Sequence, residues 1–479
     1  MRGISILCAI AVLSCSPPAD PAPTGTDAES FDSAPPSTGA PDATAASTLD
    51  AAGAPDATEV RDASAPPAVD ASAKPDVWAN DAHNEASSNQ PPHDAPGGDS
   101  GPAGTDAAKD AADAPSCNGY QLTQWPVALA NIQSMAPLGL LVPPDHTFPS
   151  PHMGIATKAG TTPISVVAPA SLRMTRVMWR DYDEDASSGF GGDPFQDVYT
   201  VSYELCGVEV QGYIGLITSV THSALLNAMK ACVPVAVPGV GGGTLCQVDM
   251  SVSVKAGEEI GVVKAGRGLD IGFRDYRNPT GKSAFAKPDR FCAGGGNVFA
   301  RCYTACALEY LPDSPDKTSM FNLLLDSSRT VLRTEAPRCG SVYHDVVGSA
   351  QGNWFAPVVT QSEGPQLYLG PSTFTDNVYD FSIGTSVPSV TAGLYRYIPS
   401  SSGTINRKFS DITNDDVYCF ETFYRNERDA WDRVAAVTDF TLLVQRRNSG
   451  ASVAVERRAQ GTCGTGPWTM SAGAAVFDR

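Results

Sequence analysis

The stretch "VYTVSYELCGVEVQGYIGLIT", Val198 to Thr218, alternates apolar and polar residues with a period of two, broken at glycines. Successive side chains of a strand point to opposite faces, so this period predicts half-buried strands joined by turns. "VDMSVSVKAGEEIGVV", Val248 to Val263, has the same pattern with a bend at Gly257. Near the end, "TLLVQRRNSGASVAVERR" predicts a hairpin around Asn448-Ser449-Gly450. One helix is expected at "THSALLNAMKAC", with Thr221 as its cap and Leu225, Leu226 and Met229 as its apolar stripe. The fold class that follows is mainly β.

The ends of the chain differ in kind. "MRGISILCAIAVLSCS" has one basic residue and a short apolar run from Ile4 to Leu13, too short for the roughly 20 apolar residues that cross a bilayer. Residues 1–15 are therefore an export signal. Residues 16–116 are Ala, Pro, Asp, Ser, Thr and Gly with almost no large apolar side chain, so burial cannot offset the entropy of ordering and a disordered tether is expected. This tether holds 18 acidic and 3 basic residues, which accounts for most of the net charge of −19. The acidity says little about the folded part, and nothing points to a nucleic-acid partner. Residues 117–334 and 335–479 are expected to form two β domains.

Ten cysteines follow the tether: Cys117, Cys206, Cys232, Cys246, Cys292, Cys302, Cys306, Cys339, Cys419 and Cys463. In an exported chain an even number favours disulfides, with the pairing left open. "CYTAC", Cys302 to Cys306, is half of a zinc-site spacing without a second half, and disulfides are the expected fate. Gly281-Lys282-Ser283 has the tail of a phosphate-binding loop, but Tyr276 stands where its leading glycine belongs. Asp181, Asp183 and Asp185 have calcium-loop spacing, with Ala186 at the turn glycine and Gly192 at the bidentate glutamate; a solvated loop is expected.

Candidate chemistry centres on "PDHTFPSPHMGIA", Pro144 to Ala156. His146, His152, His222 and His344 are the four histidines after the tether. His222 has no partner identifiable in the sequence. His344-Asp345 has no nucleophile elbow near it, so no triad is expected there.

Two resemblances arise from these residues. Val12-Leu13-Ser14-Cys15 resembles the lipobox of bacterial lipoproteins, which implies acylation at Cys15, and Ser16 after it is similar to outer-membrane sorting in Gram-negative bacteria. Residues 138–275 resemble the lysostaphin-type zinc endopeptidases, whose β barrel is the duplicated hybrid motif. "HMGIATKAGTTPISVVAP" has the order of that family's first motif, "VKAGEEIGVV" its turn, and "GLDIGF" the place of its H-x-H. His152 and Gly154 match, but Ala156 stands for the aspartate ligand, Asp270 and Gly272 for the two histidines of H-x-H, and Gly215 or Leu216 for the strand histidine. Zinc hydrolysis needs three ligands and an open position for water. The expectation is a hybrid-motif β barrel or sandwich with a degenerate metal site and no cofactor.

The implied function is an outer-membrane lipoprotein that binds cell-wall or envelope components, namely peptidoglycan or an envelope protein. A zinc hydrolase acting on peptidoglycan cross-bridges through His146, His152 and Asp270 is one alternative, and a structural envelope protein is another. "PRCG", "QGNWF" and "YCFE", at Pro337, Gln351 and Tyr418, are similar to stretches of secreted bacterial proteins carrying the same motif. In the second β domain an exposed Trp354 or Tyr395 could contact glycan or protein, and the alternative is that these rings simply pack.

Overall fold

A computed structural model describes residues 122–479 except 182–196, 206–208, 237–242, 279, 293–300, 326–331, 358–362, 422, 427–433 and 438. Residues 1–15, where an export signal with Cys15 is expected, the expected tether 16–116, Cys117, Cys206, Asp183 and Asp185 lie outside the described residues.

Eleven strands come first: β1 (Ile132–Ala136), β2 (His152–Thr157), β3 (Ile164–Val167), β4 (Leu172–Asp181), β5 (Val198–Glu204), β6 (Val210–Ile217), β7 (Ser219–Val220), β8 (Val235–Ala236), β9 (Thr244–Val254), β10 (Glu259–Val263) and β11 (Gly268–Asp275). They form an antiparallel eight-stranded sheet in the order β1-β2-β11-β6-β5-β4-β9-β8 and a three-stranded sheet in the order β3-β10-β7. Between the sheets lies one apolar core, with Met153, Ile155, Ile214 and Ile271 from the first and Val166, Val220 and Ile260 from the second. The alternation read in the sequence places these residues inward, so the fold is mainly β as expected.

Short helices follow or interrupt the strands: α1 (Ser223–Met229), α2 (Thr280–Ala284), α3 (Pro288–Phe291) and α4 (Pro315–Phe321). The cap of α1 is His222, whose Nδ1 accepts the Ala224 amide at 3.3 Å; Thr221 instead donates its hydroxyl to Glu259. The apolar stripe is also narrower than expected. Leu225 is buried and Leu226 is exposed.

Residues beyond 350 form β12 (Gly352–Trp354), β13 (Leu367–Pro371), β14 (Tyr379–Ile383), β15 (Gly393–Tyr397), β16 (Val417–Phe420), β17 (Phe423–Asn426), β18 (Val434–Val437), β19 (Thr441–Arg447), β20 (Ser452–Arg458) and β21 (Ala475–Asp478). A six-stranded sheet, β12-β13-β14-β15-β17-β18, and a four-stranded sheet, β16-β19-β20-β21, enclose an aromatic core around Phe381, Phe409 and Phe420. The β19–β20 hairpin turns at Asn448-Ser449-Gly450, all three at positive φ. A further cluster containing Phe148, Phe291, Phe355 and Tyr368 joins side chains from the two halves of the chain.

Four disulfides brace the described residues: Cys232–Cys246, Cys292–Cys302, Cys306–Cys339 and Cys419–Cys463. The two sulfurs of "CYTAC" therefore belong to different bridges.

Candidate functional site

β2 and β11 pair so that Gly154 lies opposite Asp270 and His152 opposite Gly272. On the other side of β11, β6 sets Gly215 opposite Asp270 and Tyr213 opposite Gly272. Alternation then gives one face of the sheet to His152, Asp270 and Tyr213, spaced by three glycines, while Met153, Ile155 and Ile271 point the other way into the core. At Gly272 the missing side chain matters, because a Cβ there would lie 1.9 Å from Cε1 of Tyr213.

His152 Nδ1 lies 3.5 Å from Asp270 Oδ1. The His146 ring meets the His152 ring edge-on at 5.3 Å between centroids, and the Tyr213 ring lies at 6.4 Å. The three residues singled out in the sequence are thus brought together. His146 reaches the face because residues 139–150 fold back on themselves. Val142 and His146 exchange backbone hydrogen bonds at 2.9 and 2.8 Å, and Gly139 donates to Ser150 at 3.0 Å.

The folded-back segment covers the face. Leu140 and Val142 pack with Ala156 and with Phe374 from the loop after β13. Thr373 Oγ1 donates to the Gly139 carbonyl at 2.8 Å. Arg301 fixes the far end of the segment, donating through Nε to Pro149 O at 2.8 Å and pairing with Glu363, whose Oε2 accepts the Phe148 amide at 3.0 Å. Consequently His152 is 4% and Asp270 5% exposed. Both ring nitrogens of His152 and Oδ2 of Asp270 have no hydrogen-bond partner among the described residues.

Burial removes both charges at neutral pH. Desolvation, helped by the Arg301 charge, lowers His152 to about 4. Desolvation alone raises Asp270 to about 8. Each shift disfavours the charged form, so the 3.5 Å contact is a neutral pair at pH 7 and not an ion pair.

Desolvated donors facing one another are what a metal ion needs, but a catalytic zinc also needs a third ligand and an open corner for water. Ala156, at the aspartate position of the resemblance, is fully buried under Leu140, Val142 and Phe374. Among the described residues no group of three or more His, Cys, Asp or Glu side chains is arranged to hold a metal.

The other sequence candidates separate from this face. His222 Nε2 lies 3.1 Å from Glu258 Oε1, a partner that the sequence did not disclose. His344 bonds the Ser341 carbonyl at 2.8 Å, while Asp345 accepts from the Ala286 and Asn353 amides and faces Arg479, so they form no triad. Trp354 and Tyr395 are buried at 0% and 2% exposure, so of the two alternatives for these rings they pack. Trp354 donates to Ala350 O and lies under the Arg479 guanidinium, and Tyr395 packs on Phe423 and Phe440. Arg301, Glu363 and Phe374 were missed. Nothing local in the sequence marks them, because their partners lie 62 to more than 200 positions away.

No family model, curated protein or solved structure matches the chain.

Proposed function

We propose that the chain is an outer-membrane lipoprotein, acylated at Cys15, whose folded part is a non-catalytic module that binds peptidoglycan or an envelope protein. The observation that supports this reading is the closed face: His152 and Asp270 are buried on the side of the sheet where Ala156 packs with Leu140, Val142 and Phe374. A hydrolase must admit a peptide to its metal-bound water, whereas a binding module can fill that place with its own chain. The test is co-sedimentation of the purified protein with isolated peptidoglycan, before and after chelator treatment. Retention that is unchanged by chelator, with no cross-bridge cleavage, is expected. Absence of retention above a control protein rejects wall binding and leaves an envelope protein as the partner. Substitution of Cys15 by Ala is expected to release the protein from the membrane fraction.

One observation favours the alternative zinc hydrolase, namely the approach of His146, His152 and Asp270 to one another. Stoichiometric zinc lost together with wall cleavage in His152→Ala would establish it.

A further inference from the structure

Away from the His152 face, a recess of about 330 Å³ opens beside β3. Val127, Leu311 and Met320 form part of its apolar wall, and Asn131, Ser165 and Asp316 part of its rim. Three features of this recess are incomplete in the chain itself. Trp125 lines it, is 4% exposed, and its indole Nε1 has no hydrogen-bond partner among the described residues. A buried donor without an acceptor is costly, so a ligand that brings an acceptor is favoured there.

The second feature is the edge of β3. Val167 donates its amide to Pro126 O at 2.9 Å, on the side away from β10. Residues two apart along a strand direct their backbone groups to the same side, so Ser165 presents its N–H and C=O to that edge as well. Its pairing agrees: Ser165 stands opposite Val262, whose carbonyl is taken by Thr218 on the far side of β10. Pro126 occupies the first step of the edge, and no described residue pairs with the second.

The third feature is charge. Lys317 lines the recess, but its ammonium is used by Glu309 O, Leu311 O and Asp313 Oδ1 at 3.0–3.3 Å. Asp316 is exposed at the rim and has no ion pair among the described residues. The rim therefore offers a carboxylate to an incoming cation.

We propose that this recess docks an extended peptide bearing a side-chain amine, which adds a strand at Ser165 and supplies a carbonyl to the Trp125 indole. Strand addition gives main-chain hydrogen bonds, while alternate side chains enter the recess and meet Asp316. This site is independent of whether the module binds the wall, since it rests on Ser165, Trp125 and Asp316 alone.

The experiment uses the acetylated, amidated pentapeptide Ala-Lys-Val-Lys-Ala, titrated into the isotope-labelled protein. The Trp125 indole resonance, assigned through Trp125→Phe, is followed together with the Ser165 amide. Both are expected to shift and saturate together. Replacing both lysines by norleucine is expected to weaken binding about threefold, and Asp316→Asn to weaken the lysine peptide equally. Backbone N-methylation of the peptide is expected to abolish the shifts, as is Ser165→Pro, which removes the outward N–H together with the exposed Oγ bond to Glu259. Absence of a saturable shift overturns the proposal, as does equal affinity of the N-methylated peptide. Equal affinity of the norleucine peptide overturns the role of the amine. Failure of the protein to sediment with peptidoglycan leaves these outcomes untouched, so the two readings fail separately.

Discussion

At Asp270 burial holds the proton on up to a pH of about 8, whereas an exposed aspartate releases it near pH 4. Between those values the native chain carries a proton that the unfolded chain has lost, so stability falls as pH rises through the window. His152 acts in the opposite sense: below 6.5 the unfolded chain gains a proton that the native state refuses until about 4, so stability falls as pH drops there. The two slopes oppose each other from pH 4 to 6.5, and above 6.5 Asp270 acts alone. In chelator-treated protein, wild type is expected to lose on the order of 1–2 kcal/mol more than Asp270→Asn between pH 6.5 and 8. Urea unfolding across that range measures the difference, and parallel profiles would show that Asp270 is already ionised. A second expectation concerns Gly272, where any Cβ meets the Tyr213 ring. Gly272→Ala is expected to cost about 1–3 kcal/mol, and less in a Tyr213→Ala background, as a double-mutant cycle would register. His152 and Asp270 could be paired from the sequence because strand period and motif order place them on one face. The neutrality of the pair could not be read there, because the burial comes from Phe374 and the 139–150 segment.

Strands such as β5, β6 and β9 were legible because their burial alternates over much of their length and writes a period of two into the sequence. The ends of elements were less so. Thr221 and His222 are adjacent, and either can cap α1; tertiary contacts decide, since Glu259 engages Thr221 and Glu258 orients His222. For Trp354 and Tyr395 the choice between contact and packing could not be read for a related reason. Both lie in a sheet whose two faces are covered, where large aromatics fill the core and do not alternate with polar residues. The loop after β13 tests how much of the closed face depends on one side chain. Phe374 is buried with Leu140, Val142 and Ala156, so Phe374→Ala is expected to cost about 3–5 kcal/mol. The same change should open the cover over His152. Treatment with diethyl pyrocarbonate, read by peptide mass spectrometry, is expected to leave His152 unmodified in wild type and to modify it in the variant. If His152 reacts equally in both, the face is not closed by this contact.

At the scale of the whole described fold, the Arg301–Glu363 pair is one of the polar contacts that tie the two halves of the chain together beside the candidate site. Arg301 is 1% and Glu363 9% exposed at the side chain. Burial pushes Glu363 up, and the Arg301 charge and the Phe148 amide pull it back toward the ionised form. Such a pair is costly to assemble, since both charges leave water, but more costly to break. Arg301→Ala would leave Glu363 buried without its cation and free the Pro149 carbonyl, so a loss of about 3–5 kcal/mol is expected. Arg301→Met with Glu363→Leu removes both charges together and fills the space with apolar side chains. It forfeits the bonds to Pro149 O and the Phe148 amide, yet it is expected to recover more than half of the single-variant loss, because no orphaned charge remains. Urea unfolding of the three proteins decides the matter. A double variant as unstable as Arg301→Ala would mean that the bonds to the 148–149 backbone, not the charge pairing, hold the cover in place.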